Sequence, residues 1–566
     1  MRLSTDERRD EARALDTIIA AVAAGMTVFD TAHAYGRNEV ELGHNERMLA
    51  GALRTCGAQD RARIVTKGGM TRTGGAWVPD GRAKTIIADC EASLAALDGL
   101  AIDLYVLHAP DPRTPWRTSV RTLARLLDEG MVRSIGVSNV NRSQIDEAVE
   151  VAGISAVENA LSVRDDRAIR GGVVDRCAEL GIAFIAHSPL GGARRAADLA
   201  RHEVLSRIAA AHDVTAGAGA LAWLLALAPH VIAVAGARHP GTARSAAAAA
   251  ALRLTVADHA ALGRAFGKPR PARPARRPAL QQGSDVVLIM GIPGAGKSRH
   301  AEEYVARGYV RLNRDERGGS LREIARALDE QLAAGVRRIV LDNTYLTRAA
   351  RSHVVDTADR RAVPVQCTWL DTPLAQAQVN LVERMLERVG SLPGPDELRA
   401  LVRREPGLLT PTSQMRTLRE LEPPATDEGF TALQHVRFER TLSSRLTKAG
   451  VFVAASALNR PDLGRALAAS DPTVPHLIFD WRPGGAAGDL ADAAAHLGTV
   501  VSGAIACAVC PHGGGPPRCW CRPPLPGLPL EFSRGHGIDI ARSTLIGATP
   551  AHRTLAGALG AVYVGV

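Results

Sequence analysis

The run Gly291-Ile-Pro-Gly-Ala-Gly-Lys-Ser298 follows directly on the apolar stretch Asp285-Val-Val-Leu-Ile-Met290 and precedes a helix-compatible segment, Arg299 to Arg307. This order requires a buried strand, a glycine turn and a helix, so an α/β unit begins in the middle of the chain. Gly291, Gly294 and Gly296 let backbone N–H groups curl around an anion. Lys297 then reaches the outer phosphates of a nucleotide, and the Ser298 hydroxyl, at the helix start, is placed to bind Mg²⁺.

At 566 residues the chain is too long for one core and predicts several domains. The formal charge of +10 hints at nucleic acid, but Lys268, Arg270, Arg273, Arg276 and Arg277 concentrate much of it in one short stretch, which weakens the hint. That Pro/Arg stretch, Lys268 to Pro278, can neither build a core nor continue a helix. It predicts a stiff linker over 268–284. The charged N-terminus, Met1 to Asp16, has no apolar signal core, so a cytoplasmic protein is expected. Ala216 to Ala237 is long and nearly free of charge. Pro229-His230 divides it into a helical half and a β-branched half, which reads as a buried helix and strand rather than a membrane span.

Before the linker, short apolar runs alternate with helical patterns: Thr27-Val-Phe29, Ile64-Val-Thr66, Leu104 to Leu107, Ser134 to Val137, Ala156-Val157, Ala183 to Ala186 and Val231 to Val234. These repeats predict a (β/α)₈ TIM barrel over 1–267 whose first strand is not recognisable. Polar residues stand where the strands end. The motifs Phe29-Asp-Thr-Ala-His-Ala-Tyr-Gly36, Thr66-Lys-Gly-Gly69, Asp103-Leu-Tyr-Val-Leu-His-Ala-Pro110 and Ile135-Gly-Val-Ser-Asn139 resemble the aldo-keto reductase superfamily.

That resemblance implies a hydride from NADP(H) or NAD(H) and a small carbonyl substrate. Tyr35 would be the general acid, its pKa lowered by Lys67, which Asp30 holds, and His108 would orient the carbonyl. Ser138, Asn139, Glu158 and Ser188 would contact the nicotinamide. Three positions depart from the family pattern: Glu158 stands for the usual Gln, His187 for an aromatic, and Ala235 for a proline. Met1-Arg-Leu-Ser4 resembles the tail of the family's first strand, so either the recorded start lies downstream of the real one or the barrel closes imperfectly.

After the linker, residues 285–440 predict a P-loop α/β domain. Asp315, in Arg311-Leu-Asn-Arg-Asp315, is the candidate carboxylate to take a proton from an acceptor hydroxyl. Asn380, Arg384 and Arg388 share one helix face, so both guanidinium groups are placed to close over a transferring phosphate. With Glu420 to Phe430, these pieces resemble the kinase module of the polynucleotide kinase 3′-phosphatases. The resemblance implies ATP-dependent phosphorylation of a 5′-hydroxyl on DNA or RNA ends, with Arg384 and Arg388 as a lid.

Residues 441–566 predict a small α/β segment. Cys510, His512, Cys519 and Cys521 have the spacing of tetrahedral Zn²⁺ ligands, with Cys507 a spare. With Cys521 to Gly527, His536 to Asp539 and Leu545 to Gly547, the segment resembles zinc-loop phosphatases of the haloacid dehalogenase superfamily. That family's catalytic aspartates would fall at Ala454, Ser456 and Ala548, and its lysine at Pro523, which implies a zinc-stabilised pseudophosphatase with Asp480 the one carboxylate that argues otherwise. The sequence thus predicts a carbonyl reductase fused to a 5′-hydroxyl polynucleotide kinase. The alternative is a non-catalytic barrel beside a kinase of small molecules.

Overall fold

In the computed structural model, residues 2–192, 195–266, 285–439 and 446–566 are described, so the expected linker at 268–284 lies outside the described residues. Two compact units divide the chain, Met1–Pro274 and Ala275–Val566.

The first unit is a parallel sheet of seven strands: β1 (Val28–Asp30), β2 (Arg63–Gly68), β5 (Leu104–Leu107), β6 (Ile135–Ser138), β7 (Ala156–Ala160), β8 (Ala183–His187) and β9 (Val231–Ala233). A two-residue antiparallel ribbon, β3 (Met70–Thr71) with β4 (Val78–Pro79), stands apart from it. Each apolar run of the sequence became a strand, and helices follow as a (β/α)₈ arrangement requires. Among the described residues β1 and β9 are the two edges. The helices that flank the edges, Glu11–Ala23 and Pro240–Ala248, pack on each other through Ala20, Ala21 and Ala243.

The start of the chain corrects the sequence reading. Arg2–Thr5 is a helical turn and not a strand tail. The Ser4 hydroxyl, fully buried, accepts from Asn45 Nδ2 (2.8 Å) and meets His44 Nδ1 (3.0 Å), side-chain bonds that anchor the turn on helix His44–Thr55 where a sheet ladder would need backbone bonds. The apolar stretch from Ala216 folds as expected, a buried helix Ala216–Leu225 followed by β9. No single helix among the described residues is long and apolar enough to cross a membrane.

The second unit holds two five-stranded parallel sheets. The first runs β11 (Val310–Leu312), β12 (Arg338–Asp342), β10 (Asp285–Met290), β13 (Val365–Asp371) and β14 (Ala432–Arg437). The second runs β17 (Ile505–Cys510), β16 (His476–Trp481), β15 (Val451–Ala454), β18 (Thr544–Gly547) and β19 (Val562–Gly565). Sequence reading separated these as two domains, yet one apolar core joins them: Val382, Met385 and Leu386 of helix Leu374–Val389 pack with Phe452, Trp520 and Leu555.

The segment Glu420 to Phe430, taken in sequence as part of the kinase likeness, is a strap. Arg351, fully buried, donates from Nε and Nη2 to Glu428 (2.7 and 2.6 Å), and Arg348 pairs with Asp427 at 2.7 Å. Glu428→Ala would leave the Arg351 guanidinium buried without its countercharge. The second unit should lose about 3–5 kcal/mol of stability, seen as a lower urea midpoint for that unit with the first unit's transition unmoved.

Candidate active sites

In the first unit, successive strands end on one rim and carry the predicted residues to it. Lys67 near the end of β2 is 1% exposed and lies between Asp30, at the end of β1, and Glu158 on β7, with Nζ 3.2 Å from Glu158 Oε2 and 3.1 Å from the Thr31 carbonyl. Tyr35 is also buried. Lys67 Nζ sits 5.5 Å from its ring centroid, and the His108 ring packs edge-on against it at 5.8 Å.

The second carboxylate changes the electrostatics. Burial is the largest influence on Glu158 and, with the Asp30 charge, pushes its pKa up to about 8, while Lys67 only partly offsets this. Burial works against the Lys67 ammonium, but Asp30 and Glu158 outweigh it and hold the amine charged. The sequence predicted a lowered pKa for Tyr35. Lys67 does pull the phenol down, yet burial first, and then Asp30 and Glu158, leave it above its usual value. Burial, helped by the Lys67 charge, lowers the His108 pKa to about 3, so this imidazole is neutral.

Of the predicted cofactor residues, Ser138, Asn139 and Ser188 form one hydrogen-bonded group with His187, whereas the Glu158 side chain pairs with Lys67. Asn139 Nδ2 donates to the His108 carbonyl and to Ser138 Oγ (both 3.0 Å), His187 Nε2 donates to Asn139 Oδ1 (3.1 Å), and His187 Nδ1 lies 3.2 Å from Ser188 Oγ. Asn139 and Ser188 take positive φ, 59° and 54°, as residues at sharp strand-to-loop turns do. Sequence reading missed the wall opposite. Trp77 packs against both Tyr35 and His108 (6.1 and 5.8 Å), and the Arg72 guanidinium stacks on it at 3.9 Å. Arg72 Nε, Arg72 Nη1 and His108 Nδ1 are buried without a hydrogen-bond partner, polar groups left for a bound ligand.

In the second unit, Gly291, Gly294 and Gly296 all adopt positive φ between β10 and helix Lys297–Val305. A Cβ at Gly294 would lie 2.3 Å from the Ala377 carbonyl, so only glycine lets the loop seat on helix Leu374–Val389. Asn380 of that helix donates to the Gly294 carbonyl (2.7 Å), which makes it a support of the loop and not part of a lid. Lys297 Nζ donates to the Gly291 and Ile292 carbonyls (3.0 Å each), and burial lowers its pKa to about 8.

The ends of β11 and β12 are laced by two asparagines. Asn313 caps the turn Arg314–Arg317, accepting from Asp315 N (2.7 Å), and donates to the Asp342 carbonyl (2.9 Å). Asn343 Oδ1 accepts from Arg314 N (2.8 Å). This lacing fixes the turn that carries Asp315, whose charge bears on Arg384. A Cβ at Gly407 would sit 3.3 Å from Arg384 Nη1 and 3.8 Å from Asp315 Oδ2, and both charges bear on Lys297. Arg384 and Arg388 donate to the neighbouring carbonyls of Gly407 (3.3 Å) and Pro406 (2.7 Å). Asp342, unmarked in sequence, is buried at the end of β12 and gripped by Arg311 through Nε (3.0 Å) and Nη2 (2.5 Å). Its place at the end of the apolar run Ile339-Val-Leu341 was the available signal.

Cys510, His512, Cys519 and Cys521 offer donor atoms all within 4.8 Å of one another. Tetrahedral Zn²⁺ with Zn–S near 2.3 Å needs sulfurs roughly 3.7 Å apart. The observed separations are 3.7, 3.3 and 3.1 Å, and His512 Nδ1 lies 3.2 Å from Cys521 Sγ, so three thiols and an imidazole, a donor set of the type that binds Zn²⁺, gather at a spacing equal to or tighter than that geometry. Cys507 is not part of it, its thiol facing the Leu490 carbonyl at 3.8 Å.

Comparison with known proteins agrees with this division. The model of the aldo/keto reductase family matches residues 1–265, and a model of an AAA domain matches residues 286–397. Similar solved structures include a thermostable aldo-keto reductase (28% identity, 46% of this chain and 89% of that one, TM-score 0.39). An aldo/keto reductase from Klebsiella pneumoniae in complex with NADP and acetate is 25% identical over 46% of this chain and 87% of its own (TM-score 0.40). The glycerol dehydrogenase from Gluconobacter oxydans is 25% identical over 46% and 88% (TM-score 0.40).

Because the Glu158 pKa is raised from 4.5 to about 8, the folded protein holds a proton that the unfolded chain releases. That contribution to stability is full below pH 4.5 and is lost as pH rises to about 8. Glu158→Gln should flatten the pH dependence of the first unit's melting temperature across this window and raise it at higher pH. A pH series of calorimetric scans checks this, and an unchanged profile would mean that Lys67 compensates the charge in full.

Proposed function

We propose, from a chain that joins an aldo/keto reductase domain to a P-loop AAA domain, that it carries two activities: NAD(P)H-dependent carbonyl reduction, and ATP-dependent phosphorylation of a 5′-hydroxyl on DNA or RNA. The convergence of Tyr35, Lys67 and His108 on one rim supports the first. A bound reduced nicotinamide supplies the hydride. Tyr35 Oη gives its proton to the carbonyl oxygen as charge develops there, and Lys67 stabilises the phenolate left behind. Neutral His108 orients the carbonyl by a hydrogen bond without adding a second positive charge. Trp77 and Arg72 shield the site from water.

For the second activity the supporting observation is that Asp315 and Arg384 both lie beside Gly407 and that both charges bear on Lys297. Asp315, half exposed, is open to an acceptor hydroxyl and takes its proton, while Lys297 and Arg384 bind phosphate oxygens. Ser298, in the first turn of the loop helix, is the residue to hold Mg²⁺ against the nucleotide. Arg388 closes the same turn through Pro406. A polynucleotide acceptor accords with the flanking guanidinium groups of Arg314 and Arg384, which favour a phosphodiester backbone over a neutral metabolite.

The third sheet we read as non-hydrolytic. Ala454, Ala455 and Ser456 stand at the end of β15 and Ala548 follows β18. Asp480 is engaged by Arg482 and by its neighbour's N–H, both at 2.8 Å. Cys510, His512, Cys519 and Cys521 would hold one structural Zn²⁺.

NADPH should bind saturably, seen as a fluorescence change, with Lys67→Met and Tyr35→Phe cutting carbonyl reduction by roughly 10²–10⁴. Absence of binding would leave the first unit as a scaffold. Labelled phosphate should pass from ATP to a 5′-hydroxyl oligonucleotide and fall by about 10²-fold or more in Lys297→Ala and Asp315→Ala. Transfer to small alcohols but to no DNA or RNA end would assign the kinase a metabolite instead.

A further inference from the structure

One aromatic side chain ties the cysteine/histidine cluster to the phosphate-loop site. Trp520 stands between Cys519 and Cys521 and is 1% exposed. Its indole N–H donates to the Leu409 carbonyl 2.9 Å away, and its ring shares a core with Met385, Leu386 and Leu408. Two residues before Leu409, the Gly407 carbonyl accepts from Arg384, and the Pro406 carbonyl accepts from Arg388. Gly407 has φ +82°, a conformation that favours glycine, and a Cβ there would lie 3.3 Å from Arg384 Nη1, so the turn packs closely against that guanidinium. A displacement at Leu409 is therefore passed directly to the groups that anchor both arginines.

We propose that Trp520 is a positioning residue through which Zn²⁺ at the cluster fixes the 406–409 turn, and with it Arg384, so that phosphoryl transfer depends on metal occupancy. The physical reason is local. A divalent ion joined to Cys519 and Cys521 pins the backbone on both sides of Trp520, and with it the aim of an indole N–H that must find its partner in a dry core. Without the ion, three thiols and an imidazole have only weak hydrogen bonds to keep them in register. A second link, from Leu392 N to Glu531 Oε1 (2.8 Å), holds the loop after helix Leu374–Val389 but reaches neither arginine's anchor. This inference rests on Arg384 serving the phosphate site, as proposed above.

The test uses the full chain, with zinc removed by a chelator and Mg²⁺ restored in excess, and separately Trp520→Phe, which keeps the ring and removes the N–H. Zinc removal and Trp520→Phe should each speed hydrogen exchange at residues 405–410 while β15 and β18 keep their protection. Each should lower kcat about tenfold to a hundredfold, with the KM for ATP changed by no more than about twofold. In an Arg384→Ala background neither should lower kcat further, because both act through that residue. Unchanged exchange at 405–410 would overturn the proposal. So would an equal rise across β15 and β18, which would make the metal a support of the whole fold, or a full additional loss on top of Arg384→Ala. If Arg384→Ala alone leaves transfer intact, the phosphate-site reading fails, and the exchange data still judge the link from the cluster to the turn.

Discussion

Parallel pairing is the constraint on which every candidate site depends. In each of the three large sheets all neighbouring strands run the same way, so their carboxyl ends gather on one edge and the loops that leave them converge. Asp30, Lys67, Ser138 and Glu158 lie on strands near that edge, and His108 and Ser188 just past it. Gly291, Asn313 and Asp342 occupy the same edge of the second sheet, and Ala454, Asp480, Cys510 and Ala548 that of the third. Side chains more than a hundred residues apart meet without long excursions of the backbone.

The first two edges carry opposite electrostatic characters. In the first unit one buried ammonium lies between Asp30 and Glu158, and burial first, with the charge of Asp30, raises both the Glu158 and the Tyr35 pKa. Such a site favours proton retention. The phosphate-loop site has the reverse balance. Arg311 neutralises Asp342, leaving Lys297, Arg314 and Arg384 against Asp315. Burial lowers the pKa of both Lys297 and Arg384, a cost that a bound polyphosphate would remove.

Much of this was legible from residue order. The seven strands of the first unit were readable because parallel, doubly covered strands are short apolar runs, and the phosphate loop because its glycines answer to a single geometry. Pairing at a distance was less visible. Nothing in the sequence places Trp77 against Tyr35, or shows that Arg311 spends itself on Asp342. Asn380 falls on the expected face with Arg384 and Arg388, but period alone does not separate a loop support from a lid. The helical turn at Arg2–Thr5 was misread because four residues carry no period, and side-chain bonds from Asn45 and His44 decided the outcome. Positions that pack on distant partners leave only their residue type in the sequence.

The third sheet is bound to the phosphate-loop sheet by a shared apolar core. Ala454 is buried at the end of β15, and the apolar core under β15 and β18 extends to helix Leu374–Val389. Removing such a domain would expose Met385, Leu386, Leu398 and Leu408, and the cost of baring that surface resists its loss independently of any reaction. The shared core makes this sheet part of the packing that supports helix Leu374–Val389. It also explains why a boundary drawn near residue 440 separates two sheets but not two cores.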